Sequence, residues 1–263
     1  MSAVTAADDP ADGVAVRLHG VCRHYGGVTA VDDVTLDVRR GARYVIIGPN
    51  GAGKTTLFKM ISRQEPVSSG RIELFGVDVT RMSAHRVARL GLARTYQVTQ
   101  VFPQLTVLEN EMLAVHGLRR SKYRMLRSAL GEKALVEKAA STLARVGLDR
   151  LRDVPAGQLG HGQQRQLELA LALAGDPRFL LLDEPAAGLS GADRQIIRDL
   201  VLDLPKEITV LLIEHDMELA LGLADRVTCL HNGAAVAEGS PDEIRANERV
   251  QDIYLGRDGE SEA

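Results

Sequence analysis

Gly48-Pro-Asn-Gly-Ala-Gly-Lys-Thr-Thr56 stands between the short apolar run at 44–47 and the stretch Leu57-Phe-Lys-Met-Ile61, and that setting decides how the chain is read. A buried strand, a glycine-rich loop and a helix in this order make a phosphate-binding loop. Gly51 and Gly53 let successive backbone N–H groups curl around phosphate oxygens, and the helix N-terminus adds its positive end. Lys54 is spaced to reach the β- and γ-phosphates of a nucleoside triphosphate, and Thr55 offers a hydroxyl to magnesium. Gly48, Pro49, Asn50, Gly51, Ala52, Gly53, Lys54, Thr55 and Thr56 are therefore the expected nucleotide-binding residues.

Moving outward, two further apolar runs end on chemistry. Phe179-Leu-Leu-Leu-Asp-Glu-Pro185 is a strand closing in two carboxylates, and alternation along an extended chain points neighbouring side chains in different directions. The two acids can then divide the work: Asp183 holds magnesium, and Glu184 orients and deprotonates the water that attacks the γ-phosphate in line. The run at 210–213 leads into Glu214-His215-Asp-Met217, which places an imidazole at the same sheet edge, so His215 joins the catalytic candidates.

The rest of the chain is organised around these edges. Residues 14–18 and 31–38 alternate apolar and polar, as strands of a partly exposed antiparallel layer do. Residues 106–173 read as helical: Thr106 and Glu109 match a capping box, and 134–146 carry apolar residues at helical spacing. Ser240, Pro241 and Glu243 supply an N-cap, an N1 proline and an N3 carboxylate for a last helix over 241–255. The expected architecture is α/β: a P-loop NTPase core with an antiparallel β subdomain and an inserted α-helical subdomain at about 98–174. It forms one domain over 14–256, with flexible tails at 1–13 and 257–263.

Composition narrows the class. With 263 residues, 45% of them apolar, the chain can bury a substantial core, and a formal net charge of -3 removes the basic field that nucleic-acid binding relies on. No apolar run approaches the roughly 18 residues that span a bilayer, and the acidic, alanine-rich start lacks the layout of a signal peptide, so a cytoplasmic location is expected. Cys22 and Cys229, far apart and beside apolar residues, read as core side chains rather than a disulfide or metal site. Arg119, Arg120, Lys122, Arg124 and Arg127 form a basic cluster that reads as a solvated helical face.

These motifs resemble, in order and spacing, those of ABC-transporter ATPases: Gly48 to Thr56, Arg94-Thr-Tyr-Gln97, Leu159-Gly-His-Gly162-Gln163-Gln-Arg165, 180–185 and His215. The resemblance covers nearly the whole chain. It implies that Tyr25 stacks on adenine, that Gln97 senses magnesium and couples to a membrane subunit, and that Gly160, His161, Gly162 and Gln163 close over the ATP of a partner subunit. Gly162 opening a helix over 163–174 suits that last role, since bare N–H groups at a helix start favour an anion. Two subunits would then pack head to tail with ATP at their seam.

Within the superfamily, Gly91-Leu-Ala-Arg-Thr-Tyr-Gln97, Pro185-Ala-Ala-Gly-Leu189, Glu214-His-Asp-Met217 and the ending Val250-Gln-Asp-Ile-Tyr-Leu-Gly256 look most like the LivG-like subunits of importers for branched-chain amino acids, urea and short amides. The implied cofactors are ATP and Mg2+. The implied partners are two integral-membrane permease subunits, a second and paralogous ABC ATPase subunit, and indirectly an extracytoplasmic solute-binding protein. The implied place is the inner face of the cell membrane. Two departures stand out: Gly160 occupies a position where the family signature often has Ser, and Ser190 one where many members have Asp. An exporter of lipopolysaccharide or another lipid-linked cargo is the second transport reading, disfavoured by the 214–217 and 250–256 stretches. A non-transport ABC switch in translation or DNA repair is disfavoured by the single P-loop and the lack of sustained heptads.

Overall fold

The computed structural model describes residues 13–95, 101–117 and 133–255. Gln97, the 119–127 basic cluster and most of both tails lie outside the described residues. The N-terminal elements are β1 (Val14–Tyr25), β2 (Val28–Arg39), β3 (Arg43–Ile47), α1 (Lys54–Ile61), β4 (Ser69–Leu74), β5 (Val77–Asp78), α2 (Ala84–Arg89) and β6 (Leu92–Arg94). Next come α3 (Val107–Gly117), α4 (Lys133–Arg145) and α5 (His161–Leu173), then β7 (Phe179–Asp183), α6 (Gly191–Leu202), β8 (Thr209–Ile213) and α7 (Met217–Leu223). The chain closes with β9 (Arg226–His231), β10 (Ala234–Gly239), α8 (Pro241–Arg245) and α9 (Glu248–Leu255).

Two compact units divide these elements. The first comprises Met1–Leu92, Arg178–Glu184 and Pro205–Ala263. Its alternating N-terminal strands form the antiparallel sheet β2-β1-β4-β5, in which β1 pairs with both β2 and β4. A second sheet runs β10-β9-β3-β8-β7-β6. Here β3 lies parallel to β8 and β9, and β7 parallel to β8. The continuous apolar runs are the reason: β7 and β8 are buried along their whole length, which suits strands covered on both faces. Val16, Val31, Leu36 and Ile72 of the first sheet share one apolar core with Ile46, Phe179, Leu211 and Phe58. The core thus holds β3 and α1, the two arms of the phosphate loop, rigidly.

The second unit comprises Ala93–Pro177 and Pro185–Leu204. In it α3 opens with a capping box: the Thr106 N–H donates to Glu109 Oε2 at 2.8 Å and the Glu109 N–H to Thr106 Oγ1 at 3.2 Å. Met112 and Val115 of α3 pack on Leu135 and Ala139 of α4.

Two helices differ from the sequence expectation. The one expected to open at Gly162 begins a residue earlier at His161, with Gly160 as N-cap, because Gln163 reaches back and accepts the Gly160 N–H at 3.1 Å. The terminal helix expected over 241–255 is two helices. Ser240 and Glu243 form the expected capping box, but α8 ends at Arg245 and Asn247 starts α9 afresh, its Oδ1 accepting the Val250 N–H at 3.1 Å.

Candidate nucleotide site

The loop after β3 is shaped by backbone that only glycine adopts freely. Gly48 has φ +146°, and a Cβ there would lie 2.2 Å from the Leu230 carbonyl oxygen of β9. Gly53 has φ +96°, and its Cβ would lie 2.3 Å from the Ala30 carbonyl oxygen of β2. The loop is therefore pressed between two strands, and its direction is set by the sheets rather than by its own side chains. Gly53 also caps α1, so no side chain caps the first N–H groups of that helix, and they suit an anion.

Lys54 is only 6% exposed, and its Nζ donates to the Gly48 carbonyl at 2.6 Å and the Pro49 carbonyl at 2.8 Å. Burial holds its pKa below the ordinary lysine range, with Glu184, Cys229 and Asp183 pulling the other way. A poorly solvated ammonium on two loop carbonyls is poised to trade them for phosphate oxygens. Thr55 is exposed on the first turn of α1 and Thr56 is half-buried.

Asp183 ends β7 opposite Ile213 of β8 and is 3% exposed. Glu184 leaves the strand in left-handed backbone, φ +47°, while its N–H still donates to the Ile213 carbonyl at 3.1 Å. That conformation costs a non-glycine residue on the order of 1 to 3 kcal/mol and is held by its surroundings; such strain concentrates at functional sites. It also means that strand alternation does not by itself separate the two carboxylates, as the sequence suggested: the backbone turns between them. His215, two residues past β8, brings Nδ1 to 3.8 Å from Glu184 Oε1 and is half-exposed. Lys54, Asp183, Glu184 and His215 thus meet beyond the carboxyl ends of adjacent parallel strands, where open α/β sheets place ligands.

No cluster of three or more His, Cys, Asp or Glu with metal-binding geometry occurs among the described residues. Magnesium suits this donor set nonetheless, since it is usually held by one or two protein oxygens together with substrate phosphates. The Thr55 hydroxyl on the first turn of α1 and the Asp183 carboxylate at the end of β7 are the two protein oxygens that would serve in this way.

The model of the family described as "ABC transporter" matches residues 31–187, and that described as "Branched-chain amino acid ATP-binding cassette transporter" matches 236–260. The chain belongs to the ABC transporter family. Among its relatives, the high-affinity branched-chain amino acid transport ATP-binding protein BraF of Pseudomonas aeruginosa is 36% identical over 92% of this chain and 97% of its own. The corresponding LivG protein of Escherichia coli is 35% identical over the same shares. The ADP conformation of MJ1267, an ATP-binding cassette of an ABC transporter, superposes with a TM-score of 0.83 at 30% identity, covering 92% of this chain and 99% of that one. The resemblance and the α/β P-loop fold expected from the motifs are thereby borne out.

In this ABC cassette Tyr25 ends β1 at the hairpin into β2 and is 43% exposed, with the Arg23 guanidinium 4.5 Å from its ring centroid. Arg23 is itself held by Glu65 at 2.9 Å. One ring face is covered by a fixed cation, which presents a flat aromatic on a short arm.

The signature residues belong to the second unit. Gly160 and His161 are exposed at the start of α5, Gly162 is buried and Gln163 is half-buried. A Cβ on Gly162 would lie 2.3 Å from Asp193 Oδ1. Asp193 is fixed by Ser190, whose Oγ donates to Asp193 Oδ2 at 2.7 Å and accepts the Asp193 N–H at 3.3 Å. Ser190, the departure noted in the sequence, is thus the N-cap of α6.

Sequence reasoning missed one residue at the phosphate loop. The Gly48 N–H donates to the Tyr254 hydroxyl at 2.9 Å, from the far end of the chain. The signal present was an aromatic with a polar tip on the amphipathic terminal segment, which by itself names no partner. Among the described residues no helix is long and apolar enough to cross a membrane.

Proposed function

We propose that this chain binds Mg·ATP on Gly48 to Thr56 and hydrolyses it to drive an ABC importer for branched-chain or other hydrophobic amino acids, urea or short amides. The observation carrying this reading is the convergence of Lys54, Asp183, Glu184 and His215 at one sheet edge, in a chain whose relatives are named for branched-chain amino acid transport.

Lys54 neutralises the β- and γ-phosphates, while Thr55 and Asp183, with Gln97, hold magnesium. Glu184 takes a proton from the water that attacks the γ-phosphorus as the bond to the ADP oxygen breaks, and His215 orients that water. Tyr25 stacks on the adenine. Gly160, His161, Gly162 and Gln163 present the start of α5 to the ATP of a second ABC ATPase subunit, so that closure needs ATP between two chains. In this reading the pair sits on the inner face of the membrane beneath two permease subunits, with an extracytoplasmic solute-binding protein feeding them, and nucleic acid plays no part.

Copurification of the chain in mild detergent at native expression level, with partners identified by mass spectrometry, tests the assignment. Two permeases, a second ATPase and a solute-binding protein are expected. Lipid-export partners would move the chain to a different transporter class, and ribosomes or no membrane protein would overturn the transport reading.

A further inference from the structure

The two ends of Gly48 are tied differently. Its carbonyl accepts from Lys54 Nζ at 2.6 Å, and its N–H donates to Tyr254 Oη at 2.9 Å. The first tie must loosen if Lys54 is to serve a phosphate; the second makes no use of Lys54 and can stay in place. Pro49 follows and has no N–H, so the Gly48 N–H is the donor through which this corner of the loop can be anchored from outside. Tyr254 is well placed to do so. It stands on α9, which Asn247 caps and which the buried Val250 and Ile253 fix to the first unit. Burial pushes the phenol pKa up to about 12, so the oxygen stays a neutral hydroxyl, and the Gly48 N–H pulls modestly the other way.

We infer that Tyr254 is a positioning residue for nucleotide binding: its hydroxyl holds Gly48 in the phosphate-binding conformation while Lys54 exchanges loop carbonyls for phosphate. The C-terminal helix is on this account part of the ATP site, acting on affinity rather than on the chemical step. The inference rests on the reading of 48–56 as an ATP site.

The test is Tyr254→Phe in the full chain, which keeps the ring and deletes one hydroxyl. The Kd for ATP is measured by equilibrium titration, the melting temperature without nucleotide is measured on the same preparations, and kcat and KM are measured in the assembled complex. Loss of one neutral hydrogen bond predicts a rise in Kd and KM of about threefold to tenfold, with kcat within about twofold of wild type and the melting temperature little changed. A Kd within about twofold of wild type would overturn the inference. So would a rise in Kd that comes with a matching fall in nucleotide-free thermal stability, because that pattern marks Tyr254 as a packing residue only. If the wild-type chain itself bound no ATP, the parent reading would fail; wild-type binding that Tyr254→Phe leaves unchanged sinks only the role of Tyr254.

Discussion

His215 Nδ1 stands 3.8 Å from Glu184 Oε1, each residue just past the end of one of two adjacent parallel strands. The distance exceeds a hydrogen bond, so the imidazole lies beside the carboxylate without using its capacity to accept a proton. Glu184→Gln keeps the shape of the side chain and removes that capacity. ATP binding should persist while turnover falls by about 10²- to 10⁴-fold, as judged by nucleotide titration and phosphate release. Normal turnover in this variant would assign the base elsewhere.

Gly162→Ala should damage the start of α5 through a clash that the structure makes explicit. The new methyl would lie 2.3 Å from Asp193 Oδ1 and 2.9 Å from Asp193 Cβ, so rotating the carboxylate is not enough. A cost of about 1 to 3 kcal/mol is expected in thermal or denaturant unfolding, as for other overpacked sites. In a double-mutant cycle, Asp193→Ala, which also removes the bond from Ser190, should couple to Gly162→Ala by about 0.5 to 3 kcal/mol, and strictly additive effects would refute the contact.

Gly160→Ser should raise turnover of the assembled complex. A Cβ at Gly160 meets only Gln163 Oε1, at 3.9 Å, and the backbone there is extended, so Ser fits without strain. Its hydroxyl would improve the N-cap of α5 by a few tenths of a kcal/mol and add one donor toward the partner subunit's γ-phosphate. Unchanged or lower turnover would remove the serine position from the list of determinants.

Glu111 carries a pH dependence of stability. It is buried on α3, and burial raises its pKa from 4.5 to about 8, opposed by the charge of Lys138 and by Thr142 on α4. The folded state therefore prefers the protonated acid, and the stabilisation this gives is full below about pH 4.5 and lost as pH rises through 8. Melting temperature should fall as pH rises from about 4.5 to about 8 and level off above that, and Glu111→Gln, an uncharged mimic, should flatten the fall. Parallel profiles for the two proteins would exclude Glu111 as the source.

Much of this was legible because it is local. Gly48 to Thr56, the carboxylates closing 179–183 and the Thr106–Glu109 capping box are set by neighbours a few residues apart, and periodicity or turn chemistry reveals them. The features that escaped are long-range or conformational. Tyr254 meets Gly48 across 206 positions, and Asp193 meets Gly162 across an interhelical contact. No pattern within a window reports either. The left-handed turn at Glu184 escaped for another reason: nothing in Asp-Glu-Pro marks a residue that tertiary packing will hold in strained backbone. The break between α8 and α9 did have a sign, the capping residue Asn247, masked by an otherwise continuous polar and apolar rhythm.

The parallel pairing of β3 has a consequence for how the protein is made. The strand that leads into the phosphate loop is complete by residue 47, yet both of its sheet neighbours, β8 and β9, are supplied by residues from 209 onward, and the hydroxyl on Gly48 comes from residue 254. Loop closure over such separations is slow and late. A nascent or truncated chain therefore carries the full glycine-rich motif long before the two strands that flank β3 exist to set its shape.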